Sequence, residues 1–403
     1  MTEKACRAES RSTDECELKS DDEFVEFVKD ISLQLNLGDL AGTQTQVADL
    51  SGNINRVRRI TFERPDGSKR SLVVKHVPAN GRLERYPEIV FPESRLEFEV
   101  RWFKLAELLG SDNVVTTPHL LHFDKEMRVV IMEDLKPECS LGEFLQQKRN
   151  TADHLLMHLG QFLRQVHSSS RDVAPSVANP SAAQNRPFVF SLPLLEPEKM
   201  RSIWEETENK KPQIEQRSAR ITLDERIRLQ EHYLKGQAQQ VLPTVLELER
   251  TFNQGHSGVL THGDLHTESI LVLSGERLGV VDAELCDYGC PGFDLGMFCA
   301  HLWACRLVAG LDQREVAGEL GRFMAAYAND LFESGNSSLE EAWVLYESSI
   351  AHCGAEILRR LLGAAGFAFP LTASQFERLL ADATTFLIKP KEHVRTLFER
   401  ALV

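Results

Sequence analysis

The stretch that decides the fold covers residues 260–297 and reads LTHGDLHTESILVLSGERLGVVDAELCDYGCPGFDLGM. It contains two short apolar runs, residues 270–273 and 278–281, which are separated by the polar residues 274–276. Short apolar runs joined by a polar, glycine-containing connection predict a β-hairpin with polar loops at both ends. Because a chain enters and leaves a hairpin at the same end, the two flanking loops are expected to emerge together.

Three acidic residues lie in these flanking loops. Asp264 follows His262 and Gly263 before the hairpin, whereas Asp282 and Glu284 follow the hairpin as an Asp-x-Glu pair. One loop can supply a base, and the other can hold a divalent cation through hard oxygen ligands. The stretch therefore indicates a kinase-type site for phosphoryl transfer.

The composition narrows the class of protein further. The chain has 403 residues and a net charge of −14, which argues against a broad surface for nucleic-acid phosphates. No apolar run approaches the roughly 20 residues that span a bilayer, and the polar N-terminus lacks the apolar core of a signal peptide. The eight cysteines are scattered, which favours reduced thiols. We therefore expect a cytoplasmic protein that binds neither nucleic acid nor membranes.

Three sequence blocks carry a resemblance to a known family. They are His262-Gly263-Asp264-Leu265-His266-Thr267 followed by Ser269, then Asp282-x-Glu284, and then Gly292-Phe293-Asp294-Leu295-Gly296. In this order and at this spacing, they resemble the signature of methylthioribose kinases, a branch of the aminoglycoside phosphotransferase and choline kinase superfamily. The resemblance implies an α+β, two-lobe protein-kinase-like fold, with a small antiparallel-sheet N-lobe and a mainly helical C-lobe.

The chain is expected to divide into three parts on this basis. Residues 1–19 are polar and without periodic pattern, which predicts a flexible tail. Residues 20–134 would form the nucleotide-binding N-lobe, built from a sheet and helices, and residues 135–403 the C-lobe with the catalytic loop, metal site and substrate site. Ser20 and Glu23 make a capping box, which predicts the first helix of the N-lobe.

The turn at residues 51–55 resembles the nucleotide loop of methylthioribose kinases. Glycine permits close backbone approach, asparagine tolerates turn conformations, and backbone N–H groups in such a turn can cradle phosphates. The resemblance implies that Gly52, Asn53 and Asn55 bind ATP. On pattern alone, an ordinary hairpin turn is the alternative.

Two further places in the N-lobe are implied to bind ATP. Lys75 ends an apolar strand, and in a kinase such a lysine neutralises nucleotide phosphates and pairs with a glutamate on a helix. Glu97 and Glu99 are both candidates for that partner, and because they face different ways on a helix only one fits; we favour Glu97. Met132 and Glu133 lie where the backbone of the hinge between kinase lobes would hydrogen-bond adenine.

The resemblance also implies roles for the central stretch. Asp264 would orient the acceptor hydroxyl and accept its proton, so it is both the catalytic residue and a substrate ligand. Asp282 and Glu284 would hold Mg²⁺ on the phosphates of ATP, and Ser269 could reach the metal or a bound water. ATP and Mg²⁺ are therefore the expected cofactors.

Two other residues of the stretch would support the loop, and two depart from the family pattern. His262 would pack against the loop and hydrogen-bond it, and Asp294 would accept backbone N–H groups from it. Glu268 stands where the family commonly has glycine, so its charge could repel nucleotide or point to solvent. Ala283 stands where the family usually has proline, which would loosen the loop.

The rest of the C-lobe is predicted to be helical, with one loop at residues 168–186. Residues 196–240 are highly charged and predict solvated helices, an insertion whose charges serve solubility. Arg359 and Arg360 lie near the end of a long predicted helix, where the helix dipole favours positive charge. A matching pair holds the sugar in methylthioribose kinases, so both would bind substrate; adjacent arginines point about 100° apart, so one could instead face a neighbour.

The resulting interpretation is a kinase that transfers the γ-phosphate of ATP to the 1-hydroxyl of 5-methylthioribose in methionine salvage. The substrate and the pathway come from the resemblance, which makes a small-molecule sugar the expected partner and a homodimer one option. Two alternatives stay open: a kinase of the same superfamily for another small alcohol, such as an aminoglycoside, choline or homoserine, and a nucleotide-binding pseudokinase. The presence of Lys75, Asp264 and Asp282 disfavours the pseudokinase.

Overall fold

The computed structural model describes residues 17–38, 40, 42–50, 52, 54–79, 82–83, 86–109, 114–147, 152–170, 178–210, 221–253, 258–333 and 339–401. The chain divides into two compact units, one of residues 1–100 with 118–134 and one of residues 101–117 with 135–403. The sequence-based division placed residues 101–117 in the first unit, which differs from the structure. The reason is Trp102, which is buried and packs edge-on against Phe162 and His262 of the second unit.

The elements of the described chain are as follows. The strands are β1 (Gln44–Asp49), β2 (Arg56–Glu63), β3 (Lys69–His76), β4 (Arg82–Leu83), β5 (Tyr86–Val90), β6 (Val115–Thr116), β7 (Leu120–Asp124), β8 (Val129–Glu133), β9 (Cys139–Ser140), β10 (Val259–Thr261), β11 (Ile270–Leu273), β12 (Arg277–Val280) and β13 (Asp287–Gly289). The helices are α1 (Asp21–Asp30), α2 (Arg95–Leu109), α3 (Leu141–Gln147), α4 (Asp153–Ser170), α5 (Pro180–Val189), α6 (Leu192–Leu195), α7 (Pro197–Lys210), α8 (Leu223–Gly236), α9 (Ala238–Asn253), α10 (Pro291–Val308), α11 (Gln313–Glu333), α12 (Leu339–Leu362), α13 (Ala373–Ile388) and α14 (Pro390–Ala401).

The first unit is built on an antiparallel sheet with the strand order β1-β2-β3-β8-β7. Helix α1 begins at the predicted capping box, in which Ser20 accepts from the N–H of Glu23 and the Glu23 carboxylate accepts from the N–H of Ser20. Its buried face packs Phe24 and other apolar residues against inward-facing residues of the sheet such as Ile60 and Val74. The predicted small antiparallel-sheet region is therefore confirmed.

The predicted flexible tail is wrong for its last residues. Residues 1–16 lie outside the described residues, but Leu18 is buried in the core of the first unit. The carboxylate of Glu17 lies 2.9 Å from both Arg56 and Arg128 and accepts from the N–H of Ala79 at 2.7 Å. These contacts could not be predicted from the polar, non-periodic sequence, because their partners are distant along the chain.

The second unit contains the predicted hairpin. Strands β11 and β12 pair antiparallel with Ile270 opposite Val280 and Leu273 opposite Arg277, so the prediction is confirmed. Strands β6 and β9 extend the hairpin to the order β6-β12-β11-β9. Beside it, β10 pairs antiparallel with β13, and these two strands lie directly before and after the loops that carry the acidic residues.

The helices of the second unit enclose α10, whose residues are almost all buried. Helix α10 lies against α12, and Gly296 permits the close approach because a Cβ there would overlap Ser349 and His352 of α12. A helix that is apolar on all sides is a core helix. Within the described chain, no helix is both long and apolar enough to span a membrane. The mainly helical character predicted for this part of the chain is confirmed.

Two predictions about the middle of the second unit have different outcomes. The loop expected at residues 168–186 is wrong at both ends. Helix α4 continues to Ser170, and helix α5 begins at Pro180, where Asn179 caps the helix and the missing N–H of proline costs nothing. The helices expected in residues 196–240 are confirmed as α7, α8 and the start of α9. Residues 211–220 lie outside the described residues.

Candidate active site

Asp294 supports the loop that carries Asp264 by accepting hydrogen bonds from its backbone. One carboxylate oxygen of Asp294 accepts from the backbone N–H of His262 at 2.6 Å, and the other from that of Gly263 at 3.1 Å. Gly263 adopts φ +86°, and a Cβ there would overlap the carbonyl of Leu285. Glycine is therefore required on both counts, and the backbone hydrogen bonds expected of Asp294 are present.

His262 connects the loop of Asp264 to the loop of Asp282. Its Nε2 lies 2.9 Å from the carbonyl of Val281, and its Nδ1 accepts from the N–H of Asp264. The imidazole is buried against Trp102, and burial lowers its pKa below the ordinary value. A neutral ring with Nε2–H donating to Val281 satisfies both contacts, so His262 has the supporting placement expected from the sequence.

His266 orients the carboxylate of Asp264. Its Nδ1 accepts from the backbone N–H groups of Glu268 and Ser269 at 3.1 and 3.2 Å, so the ring proton lies on Nε2. That Nε2 is 3.5 Å from Oδ2 of Asp264. The other oxygen, Oδ1, is thereby left to face a different set of partners.

Those partners are the two arginines at the end of α12. Nη1 of Arg359 and Nη2 of Arg360 each lie 3.7 Å from Oδ1 of Asp264. Both arginines therefore face Asp264, and the alternative that one of them faces a neighbour is not what the structure shows. The two side chains converge because Glu356, one turn earlier on the same helix, binds both: Oε2 is 3.0 Å from Arg359 Nη1 and Oε1 is 2.6 Å from Arg360 Nε.

The charges in this cluster keep Asp264 ionised. Burial alone would raise the pKa of Asp264, but His266, Arg359 and Arg360 together hold it well below its usual range. In the same way, burial would raise the pKa of Glu356, and the two arginines keep it below its ordinary value. Two carboxylates and two guanidinium groups thus face one another with no net charge.

A histidine pair completes the cluster. Nε2 of His301 lies 3.2 Å from Oε1 of Glu356, and the His301 ring stacks on His266 with centroids 5.1 Å apart. Burial lowers the pKa of His301 to about 3, so the ring is neutral and adds no charge near Asp264.

The loop with the Asp-x-Glu pair is tied down by Asn179. Its side-chain amide donates to the carbonyls of Glu284 and Cys286, both at 2.9 Å, and its backbone N–H donates to Asp287. Ala283 is fully buried here. The loosening expected from alanine in place of proline is therefore offset by hydrogen bonds that the local sequence did not show. Asp282 adopts φ +68°, which Asp tolerates better than most residues.

Ser269 is committed to its own loop. Its hydroxyl lies within 3.1 Å of the carbonyls of Asp264 and His266 and accepts from the N–H of His266 at 3.0 Å. This placement favours a bracing role over the metal-ligand role expected from the sequence. The neighbouring Glu268 neither points to solvent nor stays isolated: its carboxylate lies against Gly142 at the start of α3, where a Cβ would overlap it.

The first unit places Lys75 beside Glu99 and not beside Glu97, which corrects the expectation. Nζ of Lys75 is 2.9 Å from the Glu99 carboxylate, and both side chains are almost fully buried. Glu97 instead pairs with the exposed Lys125 at 3.0 Å. Residues two apart on a helix face different sides, and the side that carries Glu99 is the one turned to β3.

The other residues expected to bind ATP have mixed placements in the first unit. Asn53 lies outside the described residues, and Gly52 is exposed. Asn55 is buried, and its side-chain oxygen accepts from Arg95 at 2.8 Å, so its side chain ties the turn to the start of α2. Met132 is buried in β8, an inner strand of the sheet.

The backbone N–H group of Glu133 already has an acceptor. Its backbone N–H donates to the carbonyl of His119 at 2.9 Å. That donor is used within the sheet and is not directed at an adenine ring.

Sequence reasoning missed Glu356, His301 and Asn179. Glu356 lies 92 residues from Asp264 in the chain, and in the sequence it reads as one more charged residue of a long helix. A signal was present: Glu356 precedes Arg359 and Arg360 by three and four residues, the spacing at which helical side chains meet.

A carboxylate opposed by two arginines, on a loop next to a hairpin and an Asp-x-Glu pair, defines a phosphotransferase of the kinase type. A model of the phosphotransferase enzyme family matches residues 45–330. This match covers more than half of the chain, so the chain belongs to that family.

Curated relatives carry the name methylthioribose kinase. The protein of that name from Klebsiella pneumoniae subsp. pneumoniae is 27% identical over 83% of this chain and 75% of its own length. The one from Pectobacterium atrosepticum is 26% identical over 80% of each. Among solved structures, an aminoglycoside phosphotransferase from Alicyclobacillus acidocaldarius aligns with 88% of this chain and 93% of its own at 13% identity and a TM-score of 0.47.

Proposed function

We propose that this phosphotransferase uses Mg²⁺ and ATP to phosphorylate the 1-hydroxyl of 5-methylthioribose. The acceptor is supported by the relatives that bear the name methylthioribose kinase. The observation that carries the proposal is a pair of polar atoms, one on Asp264 and one on Arg360, whose hydrogen-bonding capacity is unused. Oδ1 of Asp264 and Nη2 of Arg360 are buried, make no hydrogen bond to the described residues and lie 3.7 Å apart. A sugar hydroxyl can accept a hydrogen bond from the guanidinium and donate one to the carboxylate, which gives both atoms a hydrogen-bond partner.

Asp264 would then position the acceptor hydroxyl and take its proton as the phosphoryl group transfers. His266 holds Oδ2, so Oδ1 is the oxygen left for the hydroxyl. The low pKa of Asp264 keeps it ionised. It is a weak base for the same reason, which suits a reaction in which positioning matters more than proton abstraction.

The charge of the cluster supports a neutral acceptor. Asp264 and Glu356 balance Arg359 and Arg360, and both guanidinium groups approach the carboxylate that would meet the acceptor. Because the cluster has no net charge, it offers no net electrostatic attraction to a cationic acceptor such as choline or an aminoglycoside. An uncharged polyol such as methylthioribose needs none.

Mg²⁺ fits the donor set that Asp282 and Glu284 offer, because both supply hard carboxylate oxygens. In the described part of the chain, no group of three or more His, Cys, Asp and Glu side chains gathers as a metal site. The chain would therefore supply part of the coordination, and phosphate oxygens and water the rest. When bound, the ion neutralises phosphate charge. Lys75, held by Glu99, would neutralise phosphate charge as well.

An acceptor panel tests the proposal. The purified protein is incubated with Mg-ATP and one of methylthioribose, choline, homoserine or an aminoglycoside, and ADP release is measured. We expect turnover with methylthioribose and none above background with the cationic acceptors. Turnover with choline or an aminoglycoside, but not with methylthioribose, would contradict the proposed substrate while leaving kinase activity established.

The role of Asp264 is tested by Asp264→Asn, which removes the charge but keeps the shape. We expect turnover to fall by about 100-fold or more, with the dissociation constant for ATP nearly unchanged. Near-normal turnover would remove Asp264 from its role.

Location and assembly stay predictions. A cytoplasmic location and a homodimer are both compatible with the family, and the second is checked by the mass of the native protein in solution.

A further inference from the structure

The last turn of α12 carries Arg359 and Arg360, and its final carbonyl groups need partners. The last four carbonyls of any helix have no N–H partner within the helix. Here the N–H of Gly363 donates to the carbonyl of Arg359 at 2.8 Å, which closes the turn. The carbonyls of Leu361 and Gly363 lie beyond that bond and face the helices α7 and α8.

Two side chains of this charged insertion bind those carbonyls. Arg226, on the first turns of α8, donates from Nε and Nη2 to the carbonyl of Leu361 at 3.2 and 2.8 Å and from Nη2 to that of Gly363 at 3.4 Å. Trp204, on α7, donates from Nε1 to the carbonyl of Gly363 at 2.8 Å. The Arg226 guanidinium also lies 3.8 Å from the centre of the Trp204 ring.

These contacts reinforce one another physically. The guanidinium places a positive charge at the negative end of the helix dipole, and its face is occupied by the indole ring in a cation–π contact. Trp204 is almost fully buried, so its N–H would be costly to leave without an acceptor. Thr222 and Glu225 form a capping box that fixes the start of α8 and thereby the base of the Arg226 side chain.

The geometry points to Trp204 and Arg226 as positioning residues: a clamp on the end of α12 that sets where Arg359 and Arg360 meet the acceptor. This inference rests on the proposed role of the two arginines in acceptor binding. The charged insertion would then position the acceptor-binding arginines, whereas its sequence suggested only a role in solubility. The clamp acts only one to four residues from the arginines, so a shift of the last turn moves both guanidinium groups.

The test is Arg226→Met, which keeps the length and apolar stem of the side chain but removes the donors and the charge. We expect the KM for the acceptor to rise about tenfold, because misplacement by about 1 Å can cost up to 100-fold, while the KM for ATP stays unchanged. Trp204→Phe, which removes one donor and keeps an aromatic ring, should raise the acceptor KM less. The acceptor is whichever compound of the panel the wild-type protein phosphorylates.

Amide hydrogen exchange of the peptide that spans residues 355–366 supplies a readout that does not depend on the acceptor. Arg226→Met should speed exchange there, since the carbonyl of Leu361 loses both hydrogen bonds from Arg226 and that of Gly363 keeps only the one from Trp204. This measurement stands even if methylthioribose proves not to be the substrate, so failure of the clamp and failure of the proposed function are distinguishable.

Arg201→Met is the matched control. Arg201 is an arginine of the same insertion that bonds Gln230 at 2.7 Å and Glu231 at 3.2 Å, both on α8. Its loss should lower thermal stability and leave the acceptor KM and the exchange at 355–366 unchanged. Unchanged exchange in Arg226→Met, or an acceptor KM that moves equally in both variants, would overturn the clamp.

Discussion

Lys75 and Glu99 form a buried ion pair, because Glu99 lies on the side of α2 that faces β3. Both side chains are at most 5% exposed, and Nζ lies 2.9 Å from the carboxylate. Breaking a buried pair by removing one partner leaves a charge without compensation, which is costly. Glu97, two residues earlier, pairs with Lys125, whose side chain is 70% exposed, and surface pairs contribute little. The two glutamates are therefore a natural comparison.

Glu99→Gln should raise the KM for ATP by about tenfold, equivalent to roughly 1.4 kcal/mol of binding, because Lys75 loses the charge that holds it in place. Glu97→Gln is the control and should leave the KM for ATP unchanged. Steady-state kinetics with ATP varied at saturating acceptor measures both. Equal effects from the two substitutions would show that the Lys75–Glu99 pair does not serve nucleotide binding.

Helix α12 organises the acceptor side of the site through its own periodicity. Glu356 lies three and four residues before Arg359 and Arg360, and one carboxylate can reach both guanidinium groups at that spacing. Helix α12 packs closely against α10 at Gly296, and this close contact fixes the distance between the two helices. With this spacing, α12 directs both guanidinium groups at Asp264. Moving Glu356 by one residue along the helix would break the spacing that brings the two arginines together.

Glu356→Gln should raise the KM for the acceptor by about tenfold or more, since misplaced arginines no longer match the hydroxyl groups, and leave the KM for ATP unchanged. Glu319→Gln is a matched control, because Glu319 is equally buried and pairs with Arg306 at 2.7 Å without contacting Asp264. Both substitutions break a buried pair and should lower the melting temperature. Kinetics are measured below both melting temperatures. An acceptor KM that rises as much in Glu319→Gln would reduce Glu356 to a stabilising residue.

Two buried histidines, His301 and His352, are neutral in the folded protein, and they make the free energy of unfolding depend on pH. Burial lowers the pKa of His301 to about 3 and that of His352 to about 4, whereas an unfolded histidine titrates near 6.5. From pH 6.5 down to about 4, the unfolded chain binds the proton and the folded chain does not. Stability is therefore fully present above pH 6.5 and is lost as the pH falls through this window.

His352→Gln should remove one share of that dependence. Between pH 7 and pH 5, a single such histidine costs about 2 kcal/mol of unfolding free energy, so the variant should lose that much less than the wild-type protein. His232→Gln, at an exposed position of α8, should leave the dependence as it is. Urea unfolding at the two pH values measures the difference, and identical losses in His352→Gln and wild type would contradict a neutral buried His352.

The features that depend on neighbours in the chain could be predicted from the sequence. The hairpin, the capping box at Ser20 and the long helices follow from local periodicity and local hydrogen bonding, so they were predictable. The family also followed from the local blocks around Asp264, Asp282 and Asp294.

Which charged side chains contact one another depends on how distant parts of the chain pack. The tertiary structure chose Glu99 over Glu97, turned both Arg359 and Arg360 to Asp264 through Glu356, and placed Trp204 and Arg226 on the end of α12. These pairings join residues far apart in the chain, and their energies depend on burial and distance, which periodicity does not encode. The local pattern therefore names the candidate reacting groups, and packing decides what holds them in place.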